Sequence, residues 1–277
     1  MTGRQQKADA FRNLHEGPGA FVIANAWDAG SAALLETLGF KAIATTSAGL
    51  AFSLARPDGS NAVTRDEALA NARTIVKATS LPVSADLEGG YGDAPKDCAT
   101  TIAAAIGVGL VGGSIEDSTG DTAAPIYEMG LAVDRVRAAV EAARTSDVPF
   151  LLTARSENFL HGRPDIKDTI RRLQAFQDAG ADVLFAPGHT SADDIRAVTS
   201  SVDRPVNVVM GVKGAPHTVS DLAGMGVRRI SVGGSLARAA YGAMMRGARE
   251  IMSDGTFTYA EHALPNGELN GIFAGLR

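Results

Sequence analysis

Short apolar stretches recur eight times along the chain, and a longer amphipathic stretch follows most of them. The apolar stretches are rich in β-branched residues and have the length of strands, whereas the longer stretches carry the spacing of helices. The predicted strands are Phe21–Asn25, Lys41–Thr45, Pro82–Asp86, Leu110–Glu116, Pro149–Ala154, Asp182–Ala186, Pro205–Val209 and Arg228–Val232. The clearest predicted helices are Ala29–Leu38, Arg65–Thr79, Ala132–Thr145 and Ile166–Ala179. This alternation predicts an α/β fold with parallel strands.

Glycines stand where several of these helices are expected to end. Each lies shortly before the next predicted strand, where a left-handed residue commonly terminates a helix; these are Gly39, Gly107, Gly180 and Gly226. Eight strand–helix units are the number that closes a (β/α)8 TIM barrel. An open doubly wound sheet is the alternative. No Gly-x-Gly-x-x-Gly motif opens the first predicted helix, which disfavours a dinucleotide-binding version of that sheet.

The length of 277 residues suits one barrel domain. We expect a single domain over residues 1–277, with the barrel over about 18–250 and a C-terminal helical arm over about 251–277. Hydrophobic residues make up 45% of the chain and charged residues 21%, as in a globular protein. The net charge is −5 and the basic residues are scattered. These features disfavour nucleic acid or an anionic membrane as a partner.

Cysteine usage and hydropathy bear on the compartment. Cys98 is the only cysteine, so an intramolecular disulfide is excluded and nothing indicates an oxidising environment. No apolar run approaches the roughly 18 residues of a membrane span, and the first residues lack an apolar signal core. We therefore expect a cytoplasmic protein in which Cys98 is a small buried hydrophobe.

Acidic residues follow two neighbouring predicted strands. Asp86 and Glu88 lie two apart where the third strand enters a glycine-rich turn, and alternation along a strand would direct both to one face. Glu116 ends the fourth strand. Carboxylates gathered at the barrel end that carries function suit Mg²⁺, either as direct ligands or through water. The alternative is that each acid caps a helix or forms an ion pair.

Arg155 ends the fifth predicted strand, where an unpaired charge would be costly. Its guanidinium suits two-point binding of a carboxylate or phosphonate, and the alternative is an ion pair with Glu157 or Glu116. Residues Ser47, Ala48 and Gly49 follow the second strand and are candidates to offer backbone N–H groups to an anionic substrate. An ordinary strand–loop turn is the alternative for them.

Weaker candidates lie at other strand ends. Gly233-Gly234-Ser235 is either a phosphate site of a sugar-phosphate enzyme or a tight turn. His189 follows the sixth strand and is either a satisfied loop histidine or a substrate ligand. Trp27 follows the first strand, where it either covers a ligand or closes the barrel mouth.

Several of these segments resemble the isocitrate lyase/phosphoenolpyruvate mutase superfamily. The resemblance covers about residues 20–240 and is most specific in the Asp-x-Glu-x-Gly-Tyr-Gly stretch with the later Glu-Asp. The matching segments, in the family's order, are Asn25–Ala32, Thr46–Leu50, Asp86–Gly92, Ile115–Asp117 and Thr153–Arg155.

The resemblance implies a (β/α)8 barrel, a Mg²⁺ cofactor (with Mn²⁺ as an alternative), small 2-oxo or 2-hydroxy acid substrates and chemistry through a metal-stabilised enolate. By position it assigns Asp86, Glu88 and Glu116 to the metal site, with Asp58 in its outer shell as a catalytic residue. It assigns the substrate's carboxylate to Arg155 and to the Ser47–Gly49 segment, and it implies a polar role for Asn207 on the seventh strand. It further implies a homo-oligomer, a dimer of dimers in which the last helix is exchanged between subunits.

The chain departs from the family's lyases at one loop. Isocitrate and methylisocitrate lyases carry Lys-Lys-Cys-Gly-His after the fourth strand, where the cysteine is the acid/base. The corresponding stretch here, residues 118–129, has neither cysteine nor histidine. We therefore predict a Mg²⁺-dependent lyase or decarboxylase that cleaves the C–C bond next to the carbonyl of a small 2-oxo acid, but neither of those two lyases. The alternatives are a phosphonomutase or carboxyphosphonoenolpyruvate-type enzyme of P–C chemistry, and a non-catalytic 2-oxo acid binder.

Overall fold

The computed structural model describes residues 3–59, 62–189, 191–212 and 217–275. Eight parallel strands form a closed barrel in the order β1 to β8, and β1 pairs with β8. The strands are β1 Phe21–Ala26, β2 Ile43–Thr45, β3 Val83–Asp86, β4 Gly112–Glu116, β5 Leu151–Arg155, β6 Val183–Phe185, β7 Val206–Val209 and β8 Arg229–Ser231. The predicted TIM barrel is confirmed. The alternative of an open doubly wound sheet is wrong, because the pairing of β1 with β8 closes the barrel.

Helices surround this barrel. They are α1 Gly3–Glu16, α2 Ala29–Thr37, α3 Ser47–Ser53, α4 Arg65–Ala78, α5 Pro95–Gly107, α6 Met129–Arg144, α7 Ile166–Asp178, α8 Ala192–Thr199, α9 Val219–Gly224, α10 Ser235–Asp254 and α11 Asn266–Ala274, with a 3₁₀ turn over Thr258–His262. Most of the buried apolar side chains pack between the barrel and these helices. None of the described helices has both the length and the apolar character needed to cross a membrane.

Three of the four glycines expected to end helices in a left-handed conformation are confirmed. Gly39, Gly180 and Gly226 have φ values of 86°, 99° and 85°, in the left-handed region. Gly107 is the last residue of α5, as predicted, but the expectation of a left-handed conformation there is wrong. The left-handed residue there is Gly109, with a φ of 99°.

The chain continues beyond the barrel in α10, the 3₁₀ turn and α11. Helix α10 ends at Asp254, slightly later than expected, where Gly255 adopts a φ of 67°. Phe273 of α11 approaches α2 near Gly30, where an added Cβ would lie 3.9 Å from the Phe273 ring. The exchange of this arm between subunits stays a prediction.

Helix α1 closes the end of the barrel at which the strands begin. Phe11 of α1 is fully buried and fills space that Gly112 of β4 leaves, because a Cβ on Gly112 would lie 2.7 Å from its ring. His15, one turn later, is also buried, and its Nδ1 lies 2.8 Å from the Phe11 carbonyl oxygen. Buried contacts of this kind hold α1 over this end of the barrel.

The buried His15 predicts a loss of stability in acid. Burial, and next the charge of Arg229, lower its pKa from 6.5 to about 3. Between these pH values the unfolded chain binds a proton at His15 that the folded protein excludes, so the free energy of unfolding should fall as the pH falls from about 6.5 toward 3. Denaturant unfolding of wild type and His15→Gln at several pH values measures this. The variant should show a shallower acid slope; parallel slopes would contradict the assignment.

Candidate active site

A cavity of about 660 Å³ opens at the ends of the strands, the end at which barrel enzymes carry their function. Six of the predicted site residues line it: Ser47, Ala48, Asp58, Asp86, Arg155 and Asn207. They come from distant parts of the chain and meet because all eight strands are parallel and finish at the same rim.

Asp86 is the last residue of β3 and its carboxylate is held from two sides. The Arg155 Nη1 lies 2.9 Å from Oδ1, and the Ser47 backbone N–H donates to Oδ2 over 3.2 Å. The Asp86 N–H donates to the Thr45 hydroxyl oxygen on β2 (2.9 Å). The carboxylate is thereby fixed at the cavity wall with 18% of its side chain exposed.

Arg155 is the centre of the charged cluster. Its Nη1, Nη2 and Nε atoms contact the carboxylates of Asp86, Glu116 and Glu157 at 2.9, 3.1 and 3.0 Å. Burial lowers its pKa, but the three carboxylates outweigh burial and raise the pKa above its usual value. The ion pairs of Arg155 with Glu157 and Glu116 that were considered from the sequence are present. Among the described residues, the three pairs leave two of the five guanidinium N–H bonds without a carboxylate partner.

The carboxylates around Arg155 outnumber its single positive charge, and the pKa values of several of them are raised. Burial raises the pKa of Glu116 well above its ordinary value even though Arg155 is adjacent. Burial, then the charges of Asp86 and Asp58, raise the pKa of Glu88 to about 7. Burial and Asp86 likewise raise the pKa of Asp58. Crowded carboxylates of this kind are relieved by an added cation.

Glu88 lies beyond the end of the strand that carries Asp86. Strand β3 ends at Asp86, and Glu88 adopts a left-handed φ of 47°, so the alternation expected from a strand does not apply. Glu88 lines an adjacent cavity of about 520 Å³. The expectation that strand geometry directs both carboxylates to one face is therefore wrong, although Glu88 lies close enough to Asp86, Asp58 and Arg155 for their charges to act on it.

The acidic side chains at the cavity fit Mg²⁺ only if the ion has few direct protein ligands. In the described ranges, no three His, Cys, Asp or Glu side chains lie close enough to hold an ion together. Mg²⁺ usually keeps several waters and binds proteins through one or two carboxylates. Of the predicted metal-site acids, Asp86 is the one on the cavity lining and would make such a contact.

The Ser47–Gly49 segment begins α3, but two of its three amides are already bonded. The Ser47 N–H donates to Asp86, and the Gly49 N–H donates to the Thr46 hydroxyl oxygen, the helix cap (3.3 Å). Gly49 is needed for packing, since a Cβ there would lie 2.7 Å from both the Trp27 Cβ and Thr46 Cγ2. Ala48 lines the cavity as the second residue of the helix, where its N–H has no intrahelical partner.

The weaker candidates lie in different surroundings. Trp27 packs against Gly49 and is not part of the cavity lining. His189 is buried beside the Phe159 ring (5.6 Å between centroids), and its ring nitrogens lack a partner of standard geometry among the described residues. Gly233 and Gly234 line the cavity, but the Gly233 N–H donates to Asn25 Oδ1 (2.9 Å) and is not available to a phosphate.

A network that the sequence did not indicate orients Arg155. Arg172 of α7 contacts the buried Asp117 carboxylate (3.1 Å), and Asp117 accepts the backbone N–H of Glu157 (2.8 Å). Glu157 in turn contacts Arg155. The signal in the sequence was the acid directly after Glu116, but its partner lies 55 residues away on a helix.

Arg135 of α6 holds the glycine turn after β3. Its guanidinium donates to the carbonyl oxygens of Gly92 (2.7 Å) and Gly89, and it stacks over the Tyr127 ring at 4.2 Å. Cys98 is buried beneath this turn, as predicted, and burial raises the pKa of its thiol. Cys98 therefore does not replace the missing loop cysteine.

The phosphoenolpyruvate phosphomutase family model matches residues 11–252. Three relatives show the range of that family. A protein of Mycobacterium tuberculosis without an assigned activity is 34% identical over 247 residues, covering 89% of this chain and 90% of its own. The 2-methylisocitrate lyase of Escherichia coli is 31% identical over 204 residues, covering 71% and 67%. The oxaloacetate decarboxylase of Bradyrhizobium diazoefficiens is 29% identical over 234 residues, covering 81% and 77%.

The similar solved structures also include enzymes of several activities. A candidate lyase/mutase of Burkholderia cenocepacia superposes with a TM-score of 0.96 at 56% identity, covering 98% of each chain. Oxaloacetate acetylhydrolase with the product oxalate gives 0.86 at 25% identity, covering 97% of this chain and 94% of that one. Phosphonopyruvate hydrolase with oxalate and Mg²⁺ gives 0.85 at 26%, covering 97% and 95%. The chain belongs to the phosphoenolpyruvate phosphomutase family, in the isocitrate lyase/PEP mutase superfamily of lyases and mutases that act on small acids.

Proposed function

We propose that this protein is a Mg²⁺-dependent enzyme that cleaves the C–C bond next to the carbonyl of a small 2-oxo or 2-hydroxy acid. The observation that carries the proposal is the pairing of Asp86 and Arg155 (2.9 Å) on the wall of one cavity. A carboxylate suited to Mg²⁺ thus lies beside a guanidinium suited to a substrate carboxylate.

The residues of this chain have distinct parts in the proposed reaction. Asp86 would hold the metal, and Asp58, Glu88 and Glu116 would add negative charge around it. When bound, Mg²⁺ supplies Lewis acidity at the substrate's oxygen atoms. Arg155 binds the substrate's carboxylate with its two remaining N–H bonds, and the Ala48 N–H adds a further donor. Arg155 enters the reaction already oriented by Glu157, so little is lost in ordering it.

A substrate screen tests the proposal. Oxaloacetate, methylmalate-like hydroxy acids and phosphonopyruvate are offered with Mg²⁺, and the carbon and phosphate products are measured beside calorimetric binding. Release of a C–C cleavage product is the expected result. If the only product is phosphate released from phosphonopyruvate, the result would favour P–C bond cleavage. The similarity to phosphonopyruvate hydrolase supports that alternative. Tight binding without any product would favour a non-catalytic binder.

Isocitrate and 2-methylisocitrate should be turned over negligibly. The loop after β4 is short and folds back on itself, with Ser118 bridged to Ile126, and residues 118–129 supply no cysteine or histidine. An enzyme without that proton donor should not reach the ordinary turnover of about 1–10³ s⁻¹ on either acid. Assays of this protein with 2-methylisocitrate and isocitrate check this expectation, with the E. coli 2-methylisocitrate lyase assayed under identical conditions for comparison. Turnover in that range would show the loop argument to be wrong.

We further propose a cytoplasmic homo-oligomer, a dimer of dimers. Large apolar side chains are exposed along α10 and the segment after it, among them Met244 (59%), Met252 (85%), Phe257 (64%) and Leu264 (53%). A run of this kind on one terminal segment is characteristic of a surface that a partner covers. The family's exchange of this segment between subunits supplies the partner, a second copy of the chain.

A further inference from the structure

The cavity continues below the acidic rim into the barrel itself. Small inward-facing side chains leave this space open where a barrel is ordinarily filled by bulky residues; those lining it include Ala44, Ser84, Ser114 and Ser231. Arg229, the first residue of β8, also lines the cavity. Arg229 is 5% exposed, so its guanidinium forms part of a deep floor and not of the mouth.

The partners of Arg229 are all neutral. Its Nε donates to Asn207 Oδ1 (2.8 Å) and its Nη2 donates to the Thr153 hydroxyl oxygen (2.9 Å). Its Nη1 lies 3.4 Å from His15 Nε2. These contacts use three of its five N–H bonds, and no carboxylate of the described residues pairs with it. Burial, and next the charge of Arg155, lower the pKa of Arg229 to about 9.

The contrast with Arg155 shows what is missing. Thr153, which Arg229 contacts, lies two residues before Arg155 on β5, so both residues face the barrel interior and Arg229 lies one layer deeper. The guanidinium of Arg155 contacts three carboxylates, whereas that of Arg229 contacts none in the part of the chain that the structure describes. A buried charge without a counter-charge is costly, and an anion entering the cavity would relieve that cost. The hydroxyls of Ser114 and Ser231 are further donors on the cavity lining.

We propose that Arg229 forms a second anion subsite, which binds a carboxylate of the substrate other than the one at Arg155. The substrate is then a small dicarboxylate and not a monocarboxylic 2-oxo acid. Asn207 acts as a positioning residue, since its Oδ1 accepts from Arg229 while its Nδ2 donates to Ser231 Oγ (3.0 Å). This inference rests on the proposed function for the identity of the cavity as the substrate site.

Binding of two probes in the presence of Mg²⁺ tests the subsite. Calorimetry with malonate, a dicarboxylate, and with pyruvate, a monocarboxylate, is carried out on wild type, Arg229→Gln and Arg229→Lys. Losing a charge-assisted hydrogen bond should weaken malonate binding by about ten- to a hundred-fold in Arg229→Gln and less in Arg229→Lys. Pyruvate binding should change by less than about three-fold. Equal losses for both probes, or no loss for malonate, would overturn the proposal.

A matched control separates this effect from a general change in β8. Arg228 is the neighbouring arginine, and its Nη1 donates to the Gly19 carbonyl oxygen outside the cavity. Arg228→Gln should bind both probes as wild type does. If Arg229→Gln fails to fold, the wild-type protein still provides a test. Malonate should raise the melting temperature of the wild-type protein more than acetate does at matched ionic strength, and equal shifts would overturn the subsite. None of these readouts needs turnover, so a failed substrate screen and a failed subsite are distinguishable.

Discussion

Asp86→Asn should lose Mg²⁺ binding and lower kcat/KM by about a hundred- to a thousand-fold or more. The substitution keeps the size of the side chain but removes the charge that a hard cation requires. The metal's contribution to transition-state charge stabilisation amounts to several kcal/mol, and about 1.4 kcal/mol corresponds to a factor of ten in rate. Titration calorimetry with Mg²⁺ and steady-state kinetics on the substrate found in the screen measure both effects.

The fold should survive this change, because Asp86 lies at the cavity wall and not in the packed layer between strands and helices. Asp182→Asn is the matched control: that aspartate also pairs with an arginine, Arg144 (2.7 Å), but it lines a cavity at the opposite end of the barrel. The control should keep its metal affinity and its activity. Excess chelator should reproduce the Asp86→Asn defect in wild type, and full activity in chelator would refute the metal assignment.

Arg155→Lys should lower kcat/KM by roughly ten- to a hundred-fold or more although the charge is retained. The guanidinium contacts Asp86, Glu116 and Glu157 through three different nitrogen atoms, and an ammonium on a flexible stem cannot maintain three such contacts while it binds a substrate. Losing one charge-assisted hydrogen bond of about 1.5–3 kcal/mol accounts for that decrease.

Kinetics and melting temperature on the same variants separate the two roles of Arg155. If Arg155 only neutralises the acids around it, the lysine variant should keep near-native kinetics, and Arg155→Ala should lose mainly thermal stability. Arg144→Lys is the control for the general cost of replacing an ion-paired arginine, since Arg144 pairs with Asp182 away from the cavity. Near-native kinetics for Arg155→Lys would rule out the carboxylate-binding role.

The barrel was predictable because its information is local and repeated. Strand-length apolar runs alternate with helical periodicity, and parallel strands follow from the helices that separate them. Asp86, Glu116 and Arg155 met at one rim for the same reason, since each ends a predicted strand and parallel strands finish together. The left-handed conformation was expected at Gly107 and occurs at Gly109, a smaller error, because both residues are glycines and the sequence does not distinguish which of them turns.

The assignments that failed or were missed depend on backbone conformation or on distant contacts. Glu88 lines an adjacent cavity because its backbone is left-handed. A glutamate rarely adopts this conformation, so the residue type does not predict it. Gly49 looked like part of an amide cradle, and only its packing on Trp27 shows why the residue is small. Arg229 was assigned to the predicted strand Arg228–Val232 and to no site.

For this protein, the sequence by itself determined the eight-stranded barrel, the end of it that carries polar chemistry and the acids and arginine gathered there. These follow from periodicity and from the common direction of the strands. The tertiary structure decided which groups remain free to bind. It bonded the Ser47 and Gly49 amides within the protein, surrounded Arg155 with carboxylates and left Arg229 without one. The physical reason is that hydrogen-bond and charge satisfaction depends on neighbours that are close in space and far apart in the chain.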